Sequence, residues 1–282
     1  VSALAAGADS GVEQWSGKDR ADENFPVGSA LIRRSLRRHV HAYYAFARNA
    51  DDIADAPSLA PEDKIARLDV MQAVLLGERD GGAPSASRLR ASLAQTGVTP
   101  RHATDLLIAF RQDATKQRYA SWDELLDYCR ISAMPVGRYL LDLHGESEAT
   151  HPGSDALCAS LQVLNHLQDC AGDLAEMDRC YLPQDLLAQQ GAILADLRAG
   201  AATPALRRVL DALLDRCDAL NATAASLAPA CQARGMRLES AVIVGLARRL
   251  AARLRQQDPL ASRVKLGRGD IAGALLGALR HW

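Results

Sequence analysis

Tyr43-Tyr44-Ala45-Phe46-Ala47-Arg48-Asn49-Ala50-Asp51-Asp52-Ile53-Ala54-Asp55 sets three carboxylates at the end of an otherwise apolar, helix-forming run. At about 3.6 residues per turn, Tyr44, Arg48, Asp51 and Asp55 share one helix face, with Asp52 on its edge. Like charges at i,i+4 oppose a helix by roughly 0.2–0.5 kcal/mol per pair in water, and by more where solvent is scarce. The stretch therefore calls for a cation. A hard divalent ion such as Mg²⁺ takes oxygen ligands and sits between one or two carboxylates and the phosphates of a substrate. Taken alone, a frayed acidic helix end ahead of Pro57 would look the same.

A second stretch bears on that choice. In Gln162-Val163-Leu164-Asn165-His166-Leu167-Gln168-Asp169-Cys170-Ala171-Gly172-Asp173, Asn165, Asp169 and Asp173 are four apart. Each step turns only about 40° around a helix, so they form a ridge that Gln162 continues backwards. Two helices that each carry oxygen ligands among apolar neighbours suggest a bundle with metal ions held between facing helices.

Helical periodicity runs through the rest of the chain. A segment over 36–56 stops at Pro57, and another begins near Pro61 and ends in a loop over 78–85. Thr99-Pro100 reads as an N-cap with proline in the first turn. Ser121-Trp122-Asp123-Glu124 reads as a capping box opening a helix to Gly145, kinked at Pro135. Ser154 is expected to open the helix with the second stripe, Thr203-Pro204 a long one, and a further helix covers 237–257. Alternating valine-rich strands, βαβ spacing and internal repeats are absent from the sequence. One all-α domain over 22–282 is expected, after a disordered tail over 1–21 that lacks the pattern of a signal peptide.

Bulk properties narrow the function. The 282 residues are 48% hydrophobic with a formal charge of −1, enough apolar content for a core and no basic field for nucleic acid. Six cysteines form no Cys-x-x-Cys pair and read as free thiols of a reducing cytoplasm. No run nears the ~18 apolar residues of a membrane span. Peripheral contact at the inner membrane face has two candidates, the cluster Arg33, Arg34, Arg37 and Arg38 and a short amphipathic helix over 270–282. The plainer readings are a solvated face and a helix docked on the core.

Other chemistries fit poorly. The Glu-x-x-His of a carboxylate di-iron bundle occurs only at Glu148 to His151, which runs into Pro152-Gly153 and reads as a loop. Gly267-Arg268-Gly269-Asp270-Ile271-Ala272-Gly273 follows no strand and has one residue too many for a dinucleotide fingerprint. Neither Gly-x-Ser-x-Gly nor a P-loop occurs. His39, His41 and His166 read as helix-surface or satisfied side chains rather than ligands.

Asp51 to Asp55 as DDxxD, Asn165 to Asp173 as NxxxDxxxD, and Arg179-Cys180-Tyr181-Leu182-Pro183 together resemble the squalene/phytoene synthase family. Glu23-Asn24-Phe25-Pro26-Val27, Tyr44-Ala45-Phe46-Ala47-Arg48, Tyr128-Cys129-Arg130, Ser132-Ala133-Met134-Pro135-Val136-Gly137-Arg138 and Asp258-Pro259-Leu260 resemble its hopanoid branch, the bacterial hydroxysqualene synthases. The resemblance implies a single-domain helical bundle of the trans-isoprenyl diphosphate synthase (class I terpenoid synthase) type. It also implies two or three Mg²⁺ ions on Asp51, Asp52, Asp55, Asn165, Asp169 and Asp173.

A prenyl diphosphate substrate would lose its pyrophosphate there, leaving a carbocation. Tyr44 and Phe25 offer aromatic faces to that cation, while Phe46 reads as core. Arg48 suits a phosphate oxygen, its alternative being an ion pair with Asp52 or Asp55. By the same resemblance Asn24, Gln162, Arg130 and Ser132 join the substrate site. The chain departs from relatives at Arg130, where enzymes that complete squalene or dehydrosqualene have tyrosine, and at Ala21, where several have histidine. The branch implies presqualene diphosphate as substrate, water as nucleophile, no NADPH, and neighbouring pathway enzymes as partners. Head-to-head condensation of two prenyl diphosphates is the alternative, and a non-catalytic helical protein the remoter one.

Overall fold

The structure, a computed structural model, describes residues 11–13 and 32–281. They gather into two compact units, one from residues within 1–28 and 34–115, the other from residues within 29–33 and 116–282. Among the described residues there is no β-strand, and Arg118 and Cys180 form an isolated parallel bridge.

The first unit holds α1 (Arg37–Asp55), α2 (Pro61–Leu76), α3 (Pro84–Thr96) and α4 (Arg101–Asp113). Helix α1 buries Val40, Tyr43, Phe46, Ala50 and Ile53, a three- and four-residue spacing that makes one apolar face. It packs on α3 and α4. Two buried polar links fix its register: His39 Nδ1 meets Ser92 Oγ of α3 at 2.7 Å, and the Tyr43 hydroxyl donates to His102 O of α4 at 3.2 Å. Lys64 of α2 donates to Ala54 O at 2.7 Å, placing a cation on the negative end of α1.

Pro84, expected inside a loop, opens α3 instead, because proline in a first turn gives up an N–H that has no helical partner. The expected tail over 1–21 lies outside the described residues except at 11–13. Those three are anchored: Val12 N donates to Gly82 O at 2.8 Å, and Glu13 Oε1 accepts from Ser85 N at 2.6 Å and Ser85 Oγ at 2.5 Å. Glu13 thus caps the N-terminus of α3, whose own N-cap residue Ala83 has no side chain for the task.

The second unit contains α5 (Trp122–Ser132), α6 (Met134–His144), α7 (His151–Met177), α8 (Gln184–Gln190), α9 (Pro204–Ala224), α10 (Leu227–Ala230), α11 (Arg234–Gln256) and α12 (Arg268–Ala278). Ser121 caps α5 as expected, accepting from Glu124 N at 3.3 Å, while the Glu124 carboxylate accepts from Ala120 N. The helix expected to run to Gly145 with a kink at Pro135 is two helices. The chain breaks at Ala133 (φ −116°, ψ −46°), which leaves Pro135 in the first turn of α6. Helix α7 starts three residues before the expected Ser154, with Pro152 in its first turn. Glu148 to His151 is therefore not a loop: Glu148–Thr150 is a 3₁₀ turn and His151 begins α7.

At 27 residues, α7 is about 40 Å long, and α5, α6, α9 and α11 all pack on it. Close approach needs small residues. A Cβ on Gly137 of α6 would lie 2.3 Å from Ser154 Oγ and 2.7 Å from Cys158 Sγ of α7, and one on Gly153 would lie 2.9 Å from Leu227 N of α10. Arg138 clamps the same α6–α7 contact through Nε to Asp155 Oδ1 at 2.8 Å and Nη2 to Oδ2 at 2.5 Å. All six cysteines are free, and burial pushes the Cys129 and Cys170 thiols up to about 12. Among the described residues no helix is long and apolar enough to cross a membrane.

Gly137→Ala should destabilise the protein by about 1–3 kcal/mol through overpacking. Gly172→Ala, at an α7 position with nothing within 4 Å, should be neutral or stabilising by up to ~1 kcal/mol. Urea melts of the two variants give the comparison, and equal stabilities would show that α6 and α7 yield freely at this contact.

Candidate active site

In the first unit, the acidic motif occupies the last turns of α1, the end where the helix dipole already disfavours negative charge. Arg48 answers it. Its Nη1 lies 3.1 Å from Asp51 Oδ2 and its Nη2 2.7 Å from Asp52 Oδ1, so the guanidinium spans the two carboxylates three and four positions further along the helix. Asp52 is buried, whereas the Asp51 side chain keeps 35% exposure. Of the ion pairs given as the alternative role of Arg48, the one with Asp52 is present, and Asp51 is a further partner.

Asp51 is held near neutrality. Burial, first, and then the charges of Asp55, Asp113 and Asp52 push its carboxyl up to about 7, against the opposing pull of Arg48. Asp113 at the end of α4 is a fourth carboxylate that helical spacing on α1 cannot show, because tertiary packing alone brings it near. Tyr44 is half-buried one turn before Arg48, and Phe46 is fully buried, core as expected.

In the second unit, Gln162, Asn165, Asp169 and Asp173 run along α7, all partly exposed. Asp169 is gripped by Arg263, Nε to Oδ1 and Nη2 to Oδ2, both at 3.1 Å. Arg263 stands 94 residues away in sequence, and a connected set of bonds delivers it. Asp258 fixes the turn after α11, accepting from Leu260 N at 2.9 Å and Ala202 N at 2.7 Å, and the buried Gln168 of α7 donates to Val264 O at 2.6 Å. The Asp258-Pro259-Leu260 stretch was legible as a motif; its use as the root of a strap carrying Arg263 was not.

Beyond α7 the chain is zipped to the segment before α5. Cys180 N donates to Gln117 O, Gln184 N to Tyr119 O, and Arg118 binds Asp178. This brings Tyr119, Tyr128, Tyr181 and His166 into one aromatic cluster, with His166 stacked on Tyr181 at 3.5 Å between centroids. Arg179 Nη1 donates to the Tyr181 hydroxyl at 3.2 Å. Burial, reinforced by Arg179, pushes His166 down to about 3, so its imidazole is neutral, and Gln162 Nε2 lies 3.1 Å from its Nε2.

Other expected site residues lie on α5 or outside the described residues. Arg130 is exposed and pairs with Asp127 on the outer face of α5. The Ser132 hydroxyl is enclosed with no protein partner. Asn24 and Phe25, like Ala21, lie outside the described residues. Among the described residues no three His, Cys, Asp or Glu side chains converge as a ready-made metal cage. The two acidic motifs nonetheless fit Mg²⁺ in donor chemistry, being all oxygen, with three carboxylates on α1 and two with the Asn165 amide on α7, and phosphate oxygens left to complete the coordination.

Residues 18–270 match the squalene/phytoene synthase family. The chain is 46% identical to a hydroxysqualene synthase of Sinorhizobium fredii over 260 residues, 92% of this chain and 89% of that one. It is also 46% identical to a hydroxysqualene synthase of Rhodopseudomonas palustris, over 95% of this chain and 91% of the relative. Among solved structures, squalene synthase HpnC from Alicyclobacillus acidocaldarius superposes with a TM-score of 0.74 at 34% identity, covering 84% of this chain and 90% of the other. A dehydrosqualene synthase at 20% identity superposes with a TM-score of 0.79 and shares the fold.

The raised Asp51 carboxyl has a consequence for stability. Between the ordinary value of 3.8 and the folded value of about 7, the unfolded chain loses a proton that the folded chain keeps, so rising pH weakens the metal-free fold across that window. Asp51→Asn cannot titrate. In chelator-treated protein its melting temperature should exceed the wild type's at pH 8, with the gap closing as the pH falls towards 4. A gap independent of pH in scanning calorimetry would mean that Asp51 does not carry the strain.

Proposed function

This chain belongs to the squalene/phytoene synthase family, and we propose that its reaction is the conversion of presqualene diphosphate and water to hydroxysqualene and diphosphate. The observation that carries the reading is 46% identity, over 92% and 95% of the chain, to two relatives named hydroxysqualene synthase. The acidic motifs support it, since each keeps its oxygen donors together on one helix.

Two or three Mg²⁺ ions, held by Asp51, Asp52 and Asp55 and by Asn165, Asp169 and Asp173, would neutralise charge on the leaving diphosphate. Arg48 and Arg263 now hold Asp51 and Asp169. Were those carboxylates to serve as ligands of a divalent ion, each guanidinium would have donors for phosphate oxygens, in the forked geometry that suits them. The carbon–oxygen bond breaks, diphosphate departs with both electrons, and the cyclopropane opens to an allylic cation. By the family resemblance Tyr44 and Phe25 would offer aromatic faces to that cation, and Gln162 and Asn165 would belong to the substrate residues.

Water then adds through its oxygen and releases one proton. The enclosed, unpartnered Ser132 hydroxyl suits the holding of that water, since a buried polar atom left alone costs about 1–3 kcal/mol. Arg130 would have to leave Asp127 to join it. No reductant enters this balance, because capture by water with loss of a proton leaves the carbon skeleton at the oxidation level of the starting diphosphate.

Supplied with presqualene diphosphate and Mg²⁺ in ¹⁸O-labelled water, the protein should release a C30 alcohol carrying the label, without NADPH. Unlabelled alcohol, or squalene formed only with NADPH, would refute this, and efficient use of farnesyl diphosphate alone would place the enzyme among the condensing members. Asp169→Asn should lower kcat/KM on the order of 100-fold or more, the several kcal/mol that a metal-bound leaving group is worth. Arg48→Lys should weaken inhibition by pyrophosphate by about tenfold, since an ammonium cannot reproduce the forked contact. Unchanged pyrophosphate inhibition would confine Arg48 to pairing with the aspartates.

A further inference from the structure

Helix α12 is built inside out. Its buried side chains are the small ones, Ala274 and Ala278, which pack with Val242 and Leu246 of α11. A Cβ on Gly245 of α11 would stand 3.2 Å from Ala274 Cβ, and one on Gly273 would lie 2.6 Å from Arg249 Nη2, so the helix is seated by the absence of bulk. Its large side chains stay in the open: Ile271 is 46% exposed, Leu275 50%, Leu276 69%, and Leu279 in the 3₁₀ turn that follows 58%. At 100° per residue these positions lie in an arc about 140° wide that begins beside the alanines and reaches the far side of the helix at Leu276, the most exposed of the four. A helix that needed only to cover the core would carry its leucines on the other face.

The charges around that face are positive. Lys265, Arg268 and Arg280 are exposed at its two ends. Asp270, the one acid of the helix, is engaged: burial works against its ionisation, but the Gly267 N–H at 2.7 Å and Arg253 Nε at 2.6 Å hold its carboxyl below the usual range. The four apolar side chains expose on the order of 400 Å², about half of the ~800 Å² per partner of a standard protein interface, which disfavours a second copy of the chain as occupant. A narrow apolar face rimmed by cations suits the boundary between headgroups and acyl chains of an anionic bilayer.

We propose that α12 docks the protein on an anionic lipid surface, with Ile271, Leu275, Leu276 and Leu279 entering the acyl boundary and Arg268 and Arg280 meeting lipid phosphates. The purpose, though not the contact, rests on the hydroxysqualene reading, in which the product is a C30 alcohol that partitions into lipid. The helix is the amphipathic one expected over 270–282 as a candidate for membrane contact, and it begins two residues earlier, at Arg268. Trp282, at the end of that stretch, lies outside the described residues.

Flotation of the full chain with vesicles of phosphatidylcholine and phosphatidylglycerol, without substrate, tests the contact. Wild type should float, and Leu275→Ser, Leu276→Ser, Leu279→Ser together should lower vesicle binding by roughly tenfold or more. Those side chains are exposed, so the melting temperature should hold. Arg268→Gln with Arg280→Gln leaves the apolar face intact and should lose binding to the mixed vesicles, as should wild type in high salt, with little change on phosphatidylcholine alone. Wild type that stays with the soluble fraction, or a triple serine variant that floats equally well, overturns the proposal. So does sedimentation showing a wild-type dimer that the triple variant dissolves, since the face would then join two copies. Because no substrate is present, failure here is separate from failure in labelled water with detergent-dispersed substrate.

Discussion

A carboxylate set among apolar neighbours on a helix must meet a cation, and that requirement shapes both acidic motifs. In α1 the cation is local: Arg48 reaches Asp51 and Asp52 from one turn away. In α7 it is distant: Arg263 reaches Asp169 only because a strap between α11 and α12 is pinned at Asp258 and Gln168. The two solutions have one chemistry. A guanidinium can neutralise a carboxylate without the precise shell a metal requires, and can later give it up while keeping its own charge for an anion.

This places much of the fold in the service of a few charges. The segment over 178–185 is zipped to 117–120, and through it Tyr181 is laid flat on His166. Burial makes that imidazole neutral, which removes a cation from a helix whose neighbouring positions, Asn165 and Asp169, are ligand candidates. The glycine at 137 lets α6 come close to α7, and the Arg138–Asp155 pair closes the gap with charge rather than bulk. Helix α7 is thus fixed by packing along its length before its polar ridge is asked to bind anything.

What was legible in the sequence was local. Stripes at three- and four-residue spacing, caps at Ser121 and Thr203, and proline in first turns follow from dihedral geometry and nearest-neighbour hydrogen bonds, which a chain displays directly. The misjudged boundaries at Pro84, Ala133 and His151 have one cause. Proline ends a helix when it follows one and begins a helix when it precedes one, and the choice depends on what the next turn packs against. Asp113, Arg263 and the aromatic cluster were invisible as site neighbours because each comes near its partners through tertiary contacts that leave no periodic trace.

The acidic end of α1 shows why such a site is expensive to keep. Three carboxylates in the last turns oppose the helix dipole, repel one another and draw Asp113 into the same field. Against this stand one arginine, the Lys64 contact at the terminal carbonyl, and the burial of Phe46, Ala50 and Ile53 on the opposite face. Apolar burial is insensitive to pH, and the repulsion is not, so the balance tightens as Asp51 ionises near pH 7. A divalent ion would reverse the sign of the field at the point where it is most negative. A stretch that weakens the metal-free fold would then be one that a metal-bound diphosphate strengthens, so the same three aspartates would cost stability without the ligand and supply it with the ligand.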